Sequence, residues 1–239
     1  MSDEIKISKK NLWMYSTMLL LAIVIVGGVL FFSGNKGGTE TGNTTVGAVN
    51  LDVFTSNPSL YPSIGPDNAK DVVIEFSDFQ CPYCAMASGL PNWLGPYQTQ
   101  YGDLIGVAGK IQQMAEDGKL KFVYVSMSFL GQESVYAAEA ALCANEQDKF
   151  WEMHDAIFVA HDSKENNGKY SKDNLKVIAK GITGLDSAKF NSCLDKDTEL
   201  SNVQKIASQA ATAATGTPTF YVNGKKMGAS WTAIQAALA

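Results

Sequence analysis

Four residues, Cys81-Pro82-Tyr83-Cys84, constrain this chain more than any other stretch. They follow a short apolar run, Val72-Val73-Ile74-Glu75-Phe76, and open onto Ala85-Met86-Ala87, which favours helix. Two thiols therefore stand where a buried strand turns into a helix. A thiol at a helix N-terminus faces unpaired backbone N–H groups and the positive end of the dipole, and both favour thiolate. The two-residue spacer lets the second thiol close a small disulfide ring. Pro82 supplies the φ of a first helical turn and lacks an N–H that would be orphaned there. The pattern suits dithiol–disulfide exchange. Zinc sites use the same spacing, so the rest of the chain has to separate the two.

The chain has 239 residues and a formal net charge of −5. That length holds an N-terminal segment and one domain with a sizeable core. All 19 basic residues are lysine, and no basic stripe appears, which argues against a nucleic-acid partner. Residues 12–32 carry no charge and predict a transmembrane helix about 30 Å long. Lys6, Lys9 and Lys10 precede it and only Lys36 follows closely, which places residues 1–11 in the cytoplasm and the bulk of the chain outside the cell membrane. A cleaved signal peptide is the alternative, disfavoured by the length of the run and by the lack of a clear small-x-small site after Phe32. Residues 33–45, rich in Gly, Thr and Asn, read as a flexible linker.

All four cysteines, Cys81, Cys84, Cys143 and Cys193, fall in the exported part, and an even count there predicts two disulfides. Zinc held by all four would want a second close pair, and Cys143 and Cys193 are far apart in sequence. His154 and His161 are the only histidines. No partner for either as a metal ligand is visible, so no metal is expected. Phe150, Trp151, Ile157 and Phe158 are expected in the core.

Taken in order, the pattern predicts a short first strand within 46–60 and a buried strand at 72–76. The helix after Cys84 is short, because Gly89, Pro91, Gly95 and Pro96 interrupt it. Trp93 in that loop is a candidate for a substrate surface. Leu104, Val107, Ala108, Ile111, Met114 and Ala115 recur at helical spacing up to a stop at Gly118. A second buried strand follows at 120–129. Helices are then expected at 135–145, 148–160, 171–180, 186–194 and 197–214. Strand 219–222, the turn Asn223-Gly224, a return strand at 225–228 and a helix capped by Ser230 complete the chain.

This order resembles the DsbA-like family of exported thiol–disulfide oxidoreductases, an α/β thioredoxin fold with an inserted all-helical subdomain. Three stretches carry the resemblance. They are Val73-Ile74-Glu75-Phe76-Ser77-Asp78-Phe79-Gln80-Cys81-Pro82-Tyr83-Cys84, the run from Ala140 through Cys143 to Asp155, and Gly216-Thr217-Pro218-Thr219-Phe220-Tyr221-Val222-Asn223-Gly224. Residues 46–132 would then form the first part of the thioredoxin domain, 133–195 the helical insertion and 196–239 the second part. Between Cys84 and Leu120 the chain is longer than the family norm.

The resemblance implies Cys81 as an exposed nucleophile and Cys84 as the resolving thiol. It places Glu75 beneath the pair to handle the proton of the buried thiol. It makes the Thr217–Pro218 bond cis and lays Thr217 beside Cys81, so that Pro82, Tyr83 and Thr217 meet the substrate. Asp78 is expected nearer the surface, as a turn or capping residue. A structural disulfide between Cys143 and Cys193 is seen in part of the family. Tyr83 stands where strongly oxidising members have histidine, which predicts a less oxidising couple. The implied activity is disulfide formation in reduced or misoxidised exported proteins, with no cofactor beyond the Cys81–Cys84 pair. Reoxidation would fall to a quinone-linked membrane protein of the DsbB or VKOR type. A disulfide isomerase or reductase, and a chaperone-like peptide-binding module, are the alternatives.

Overall fold

The computed structural model describes residues 50–238. The expected anchor at 12–32 and the linker at 33–45 lie outside the described residues. Among the described residues, no helix is long and apolar enough to cross a membrane. Five strands form one sheet: β1 (Ser63–Ile64), β2 (Val72–Ser77), β3 (Lys121–Ser126), β4 (Thr219–Val222) and β5 (Lys225–Met227). Their spatial order is β1-β3-β2-β4-β5. Central β2 runs parallel to β3 and antiparallel to β4. Its apolar side chains serve two faces, as the continuous apolar run requires. The Phe76 ring packs edge-on against Phe54 at 4.9 Å and Tyr221 at 5.7 Å. Val73 joins a second cluster with Val107, Ile111 and Phe220.

No strand forms at the start of the described chain. A helical turn, α1 (Asp52–Thr55), stands there instead, and the first strand is only two residues long. Asn50 Oδ1 accepts from the Asp52 N–H at 3.0 Å, and Phe54 is pinned between Phe76 and Tyr61. Tertiary packing of one aromatic ring thus overrides the β-prone composition.

A parallel pair needs a crossover, and β2 reaches β3 through α2 (Pro82–Ser88), a 3-10 turn (Asn92–Tyr97), α3 (Gln98–Tyr101) and α4 (Val107–Glu116). The extra length foreseen after Cys84 is an excursion closed at its base. The N–H groups of Gly89 and Gly106 both donate to the Met86 carbonyl, at 3.0 and 2.9 Å. Both glycines have positive φ, and a Cβ on Gly89 would lie 2.8 Å from the Gly106 Cα. The chain therefore leaves and returns at one point. Gly118 ends α4 as expected, with the Lys119 N–H reaching back to the Met114 carbonyl.

Helices α5 (Gln132–Asn145), α6 (Phe150–Ala160), α7 (Lys172–Ala179), α8 (Ser187–Asp195) and α9 (Leu200–Ala210) follow. Two start later than their sequence pattern. Asp148 and Asp197 have φ of +57° and +52°, so they end the preceding helices rather than begin the next ones. The Lys149 N–H to Ala144 carbonyl bond and the Thr198 N–H to Cys193 carbonyl bond close these ends. Cys143 on α5 is bonded to Cys193 on α8, with Cα atoms 5.8 Å apart. Phe79, beyond β2, packs its ring on Tyr124 of β3 and on Phe158 of α6, so sheet and insertion share one core. Asn223 and Gly224 both take positive φ in the β4–β5 turn, and Ser230 caps α10 (Trp231–Gln235).

Glu139 on α5 is fully buried, with Lys172 Nζ 4.0 Å away and no hydrogen bond to either oxygen. Burial, partly offset by Lys172, lifts its pKa from 4.5 to about 7. A carboxyl whose folded pKa is raised binds its proton more tightly in the folded chain, so stability falls as pH rises from about 4.5 to about 7. We expect this group to remove about 2–3 kcal/mol over that window. Urea unfolding across pH should show the loss in the native chain, and Glu139→Gln should flatten it. An equal pH slope in the variant would refute the assignment.

Candidate active site

Cys81 is the N-cap of α2 and Pro82 its first residue, as the CPYC spacing predicts. Its backbone N–H is held by the Asp78 carbonyl at 3.0 Å, and its own carbonyl accepts the first helical bond from Ala85. Both thiols are free, and the pair is in the dithiol form. Cys84 lies within the first helical turn and is buried, in keeping with a resolving thiol. Cys81 is also largely covered, at 5% exposure, rather than open as expected. What covers it is the loop before β4. The Thr217–Pro218 bond is cis, and the Cys81 thiol donates to the Thr217 carbonyl at 3.6 Å. Tyr83 remains 48% exposed beside the pair.

The two thiols differ in acidity. The Cys81 thiol is brought down to about 7, first by the Cys84 thiol and further by Thr217 and the backbone N–H groups of Cys84 and Tyr83, against the opposing effect of burial. Cys84 is pushed up, chiefly by burial and then by its hydrogen bond with Cys81 and the charge there. Glu75 on β2 is buried beside this pair, and burial lifts its carboxyl to about 8. At neutral pH Cys81 is thus substantially thiolate, while Cys84 and Glu75 hold their protons.

A second layer escaped the sequence reading. Asp78 is completely buried, not a surface turn residue. Its carboxylate accepts from the N–H of Gln80 (2.9 Å), Phe129 (2.9 Å) and Leu130 (3.2 Å), and from the Ser134 hydroxyl (2.7 Å). Gln80 reaches Ser134 and Asn166 with its amide. His161 Nδ1 accepts from the Ser163 N–H at 2.9 Å, so Nε2 carries the proton and donates to the Gln80 carbonyl at 3.0 Å. Burial lowers the His161 pKa, which keeps this neutral tautomer. The loop entering the CPYC turn is therefore sewn into the helical insertion. The polar run Ser77-Asp78 inside an apolar stretch was the available signal.

Trp93 is not a free surface residue. Its indole N–H donates to the His161 carbonyl at 2.8 Å and ties the excursion to the end of α6. Beside it Tyr97 and Tyr101 lead to Tyr83, whose ring lies 5.8 Å from that of Tyr101. His154 packs between Tyr124 and Phe158 with Nδ1 2.8 Å from Asp155 Oδ1. Phe150, Ile157 and Phe158 are buried, as expected of core residues. Because Cys143 and Cys193 are bonded to each other, a zinc site made of all four cysteines has lost two of its donors. Among the described residues, no group of three or more His, Cys, Asp or Glu is placed to hold a metal.

A thioredoxin sheet, a helical insertion, an acidified thiol at a helix start and a cis-proline loop across from it define a DsbA-like thiol–disulfide oxidoreductase. Comparison with known proteins agrees. The chain belongs to the family whose model is described as Thioredoxin, matched over residues 59–90 and 106–239. The unmatched residues 91–105 are the excursion closed by Gly89 and Gly106. The chain is 29% identical over 200 residues to disulfide bond formation protein D of Bacillus subtilis (strain 168), covering 78% of this chain and 76% of that protein. It is 24% identical over 220 residues to the probable disulfide bond formation protein D of Bacillus anthracis, with 91% and 90% covered. The crystal structure of oxidised BdbD from Bacillus subtilis superposes with a TM-score of 0.60 at 26% identity, over 76% of this chain and 92% of that one.

Proposed function

We propose that this oxidoreductase works outside the cytoplasm, anchored by residues 12–32, and forms disulfides in exported proteins with the Cys81–Cys84 pair as its redox group. The carrying observation is the placement of the thiols: Cys81 caps α2 with its thiol 3.6 Å from the carbonyl of Thr217 in the cis-proline loop, and Cys84 is buried in the first helical turn behind it. A substrate thiolate attacks Cys81 of the oxidised pair, forming a mixed disulfide and releasing Cys84. A second substrate thiol then attacks the substrate sulfur, leaving the substrate oxidised and the pair as a dithiol. Two electrons have passed to the enzyme, and a quinone-linked membrane protein of the DsbB or VKOR type takes them onward. Thr217, Pro82 and Tyr83 present the substrate backbone to Cys81, and Glu75 handles the Cys84 proton. The Cys143–Cys193 bond supports an oxidising compartment.

A Cys81 thiol near 7 compares with about 7 in thioredoxin and about 3.5 in the strongly oxidising DsbA. This favours a couple less oxidising than DsbA and matches the lack of a histidine at Tyr83. The names of the Bacillus relatives support the forming direction. Thiol trapping in cells is expected to find the pair mostly as a disulfide. The purified protein should oxidise a reduced test peptide faster than it refolds a scrambled one. A pair found mostly as dithiol, with the reverse rates, would establish the isomerase or reductase. Full complementation by a Cys81→Ser, Cys84→Ser double variant would establish the chaperone-like module.

A further inference from the structure

Beneath Cys84 the sheet carries two hydroxyls that the steps above do not use. Ser77 stands two residues beyond Glu75, so both project from one face of β2. Tyr124 on β3 lies directly opposite Glu75 in the parallel register. Glu75, Ser77, Cys84 and Tyr124 are each no more than 2% exposed. The Ser77 hydroxyl thus shares the face of β2 that carries Glu75, and it lowers the pKa of Glu75, of Cys84 and of Tyr124 against the larger effect of burial. Yet Glu75 Oε2, Ser77 Oγ and Tyr124 Oη each lack a hydrogen-bond partner. Leaving a buried polar group unpaired costs on the order of 1–3 kcal/mol, and three on one small patch are unusual. The other ionisable groups facing this patch are Cys81 from α2, Asp78 beyond β2, and His154 from α6, whose ring is 4.8 Å from that of Tyr124.

We propose that Ser77, backed by Tyr124, relays the proton between the Cys84 sulfur and the Glu75 carboxyl. The relay rests on the reading that Cys81 attacks and Cys84 resolves. When a substrate thiolate attacks Cys81 of the oxidised pair, the Cys81–Cys84 bond breaks and its electron pair goes to Cys84. Ser77 gives its hydroxyl proton to that sulfur and takes one from the Glu75 carboxyl, which is left as carboxylate. In the reverse direction, in the fraction of molecules whose Glu75 is a carboxylate, a fraction that grows as pH approaches about 8, the Cys84 thiol gives its proton to Ser77, and Ser77 passes its own to Glu75. The Cys84 thiolate then attacks Cys81 and expels the substrate thiolate. Ser77 has one rotatable side-chain bond ahead of its hydroxyl and can both donate and accept, so it changes partners without backbone movement. The Tyr124 hydroxyl supplies a further donor to hold it.

The test is single-turnover reaction of the reduced protein with oxidised glutathione, which resolves attack by Cys81 from release by Cys84, followed from pH 5 to pH 9 in water and in heavy water. Ser77→Ala is expected to slow release by roughly 100-fold. It should also alter the pH profile of release and remove its solvent isotope effect, while the ultraviolet titration of the Cys81 thiolate stays in place. Ser77→Thr, which keeps the hydroxyl, is expected to restore release. A Ser77→Ala protein with the native release rate and profile overturns the relay, and so does failure of Ser77→Thr to restore it. Should Ser77→Ala not fold, Tyr124→Phe decides, with roughly tenfold slower release expected and an unchanged rate refuting the relay. Cys81→Ser is the control for the underlying reading. If the native protein shows no exchange that Cys81→Ser abolishes, the roles of the two thiols are wrong, whatever the Ser77 variants do.

Discussion

Replacing Cys84 with serine is expected to stop the reaction with oxidised glutathione at the mixed disulfide, one glutathionyl group on Cys81 and one glutathione thiolate released, and to cut turnover by roughly three orders of magnitude, about 4 kcal/mol of barrier. The hydroxyl fills much of the space of the thiol but cannot close a bond to the Cys81 sulfur. Attack by Cys81 survives, because its low pKa also draws on Thr217 and on the backbone N–H groups at the helix start. It weakens, since the Cys84 thiol is the largest single cause of that low pKa. Mass spectrometry under non-reducing conditions should find the adduct in Cys84→Ser and not in Cys81→Ser, and dithiothreitol should release it. Turnover at the native rate, with no adduct, would remove Cys84 from the resolving role.

Asp78→Ala is expected to destabilise the fold by about 3–5 kcal/mol, the range for breaking a buried charged network by removing one partner. The four groups that donate to this carboxylate come from the loop before Cys81, the segment after β3 and the start of α5. Three of them are backbone N–H groups fixed by the chain, and that of Gln80, whose bond is buried, is left without a partner. With a urea slope of about 2 kcal/mol per molar, the midpoint should fall by roughly 2 M. Thiol exchange should slow as well, because the Asp78-to-Gln80 loop delivers Cys81 to the helix start. Asp78→Asn keeps the volume but turns part of the group into a donor, and should lie between the two. A shift below about 1 kcal/mol in Asp78→Ala would show that the network contributes little.

These two expectations differ in how far a reader of the chain alone would have reached them. The Cys84 result follows from spacing. Two thiols separated by Pro-Tyr at the mouth of a helix have a chemistry set by local backbone geometry, and Pro82, Gly118, Asn223-Gly224 and Ser230 are equally local signals that the structure reproduces. The Asp78 result is invisible in that sense. Asp is common in turns, and nothing nearby in sequence reveals that Phe129, Leu130 and Ser134 converge on it from more than 50 residues away. The same distance hid His161 and Trp93, each of which is explained by a bond to a backbone carbonyl of a remote segment. Asp148 and Asp197 misled for the opposite reason. An aspartate before an apolar run suggests a helix start, but each ends the helix before it with a left-handed backbone.

What the chain determines by itself is therefore the periodic and the local: which segments are strands or helices, where the thiol pair sits, and the turn and cap residues that punctuate them. These depend on neighbours within a few positions along the backbone. What only the tertiary structure decided is the surroundings of the pair. The cis Thr217 loop covers Cys81, Asp78 and Gln80 bind the CPYC entry to the insertion, and Tyr124 of β3 is buried opposite Glu75 of β2. Each joins segments brought together by burial of the shared core, and burial also moves the acidities of Cys84 and Glu75. No residue carries its degree of burial in its own identity.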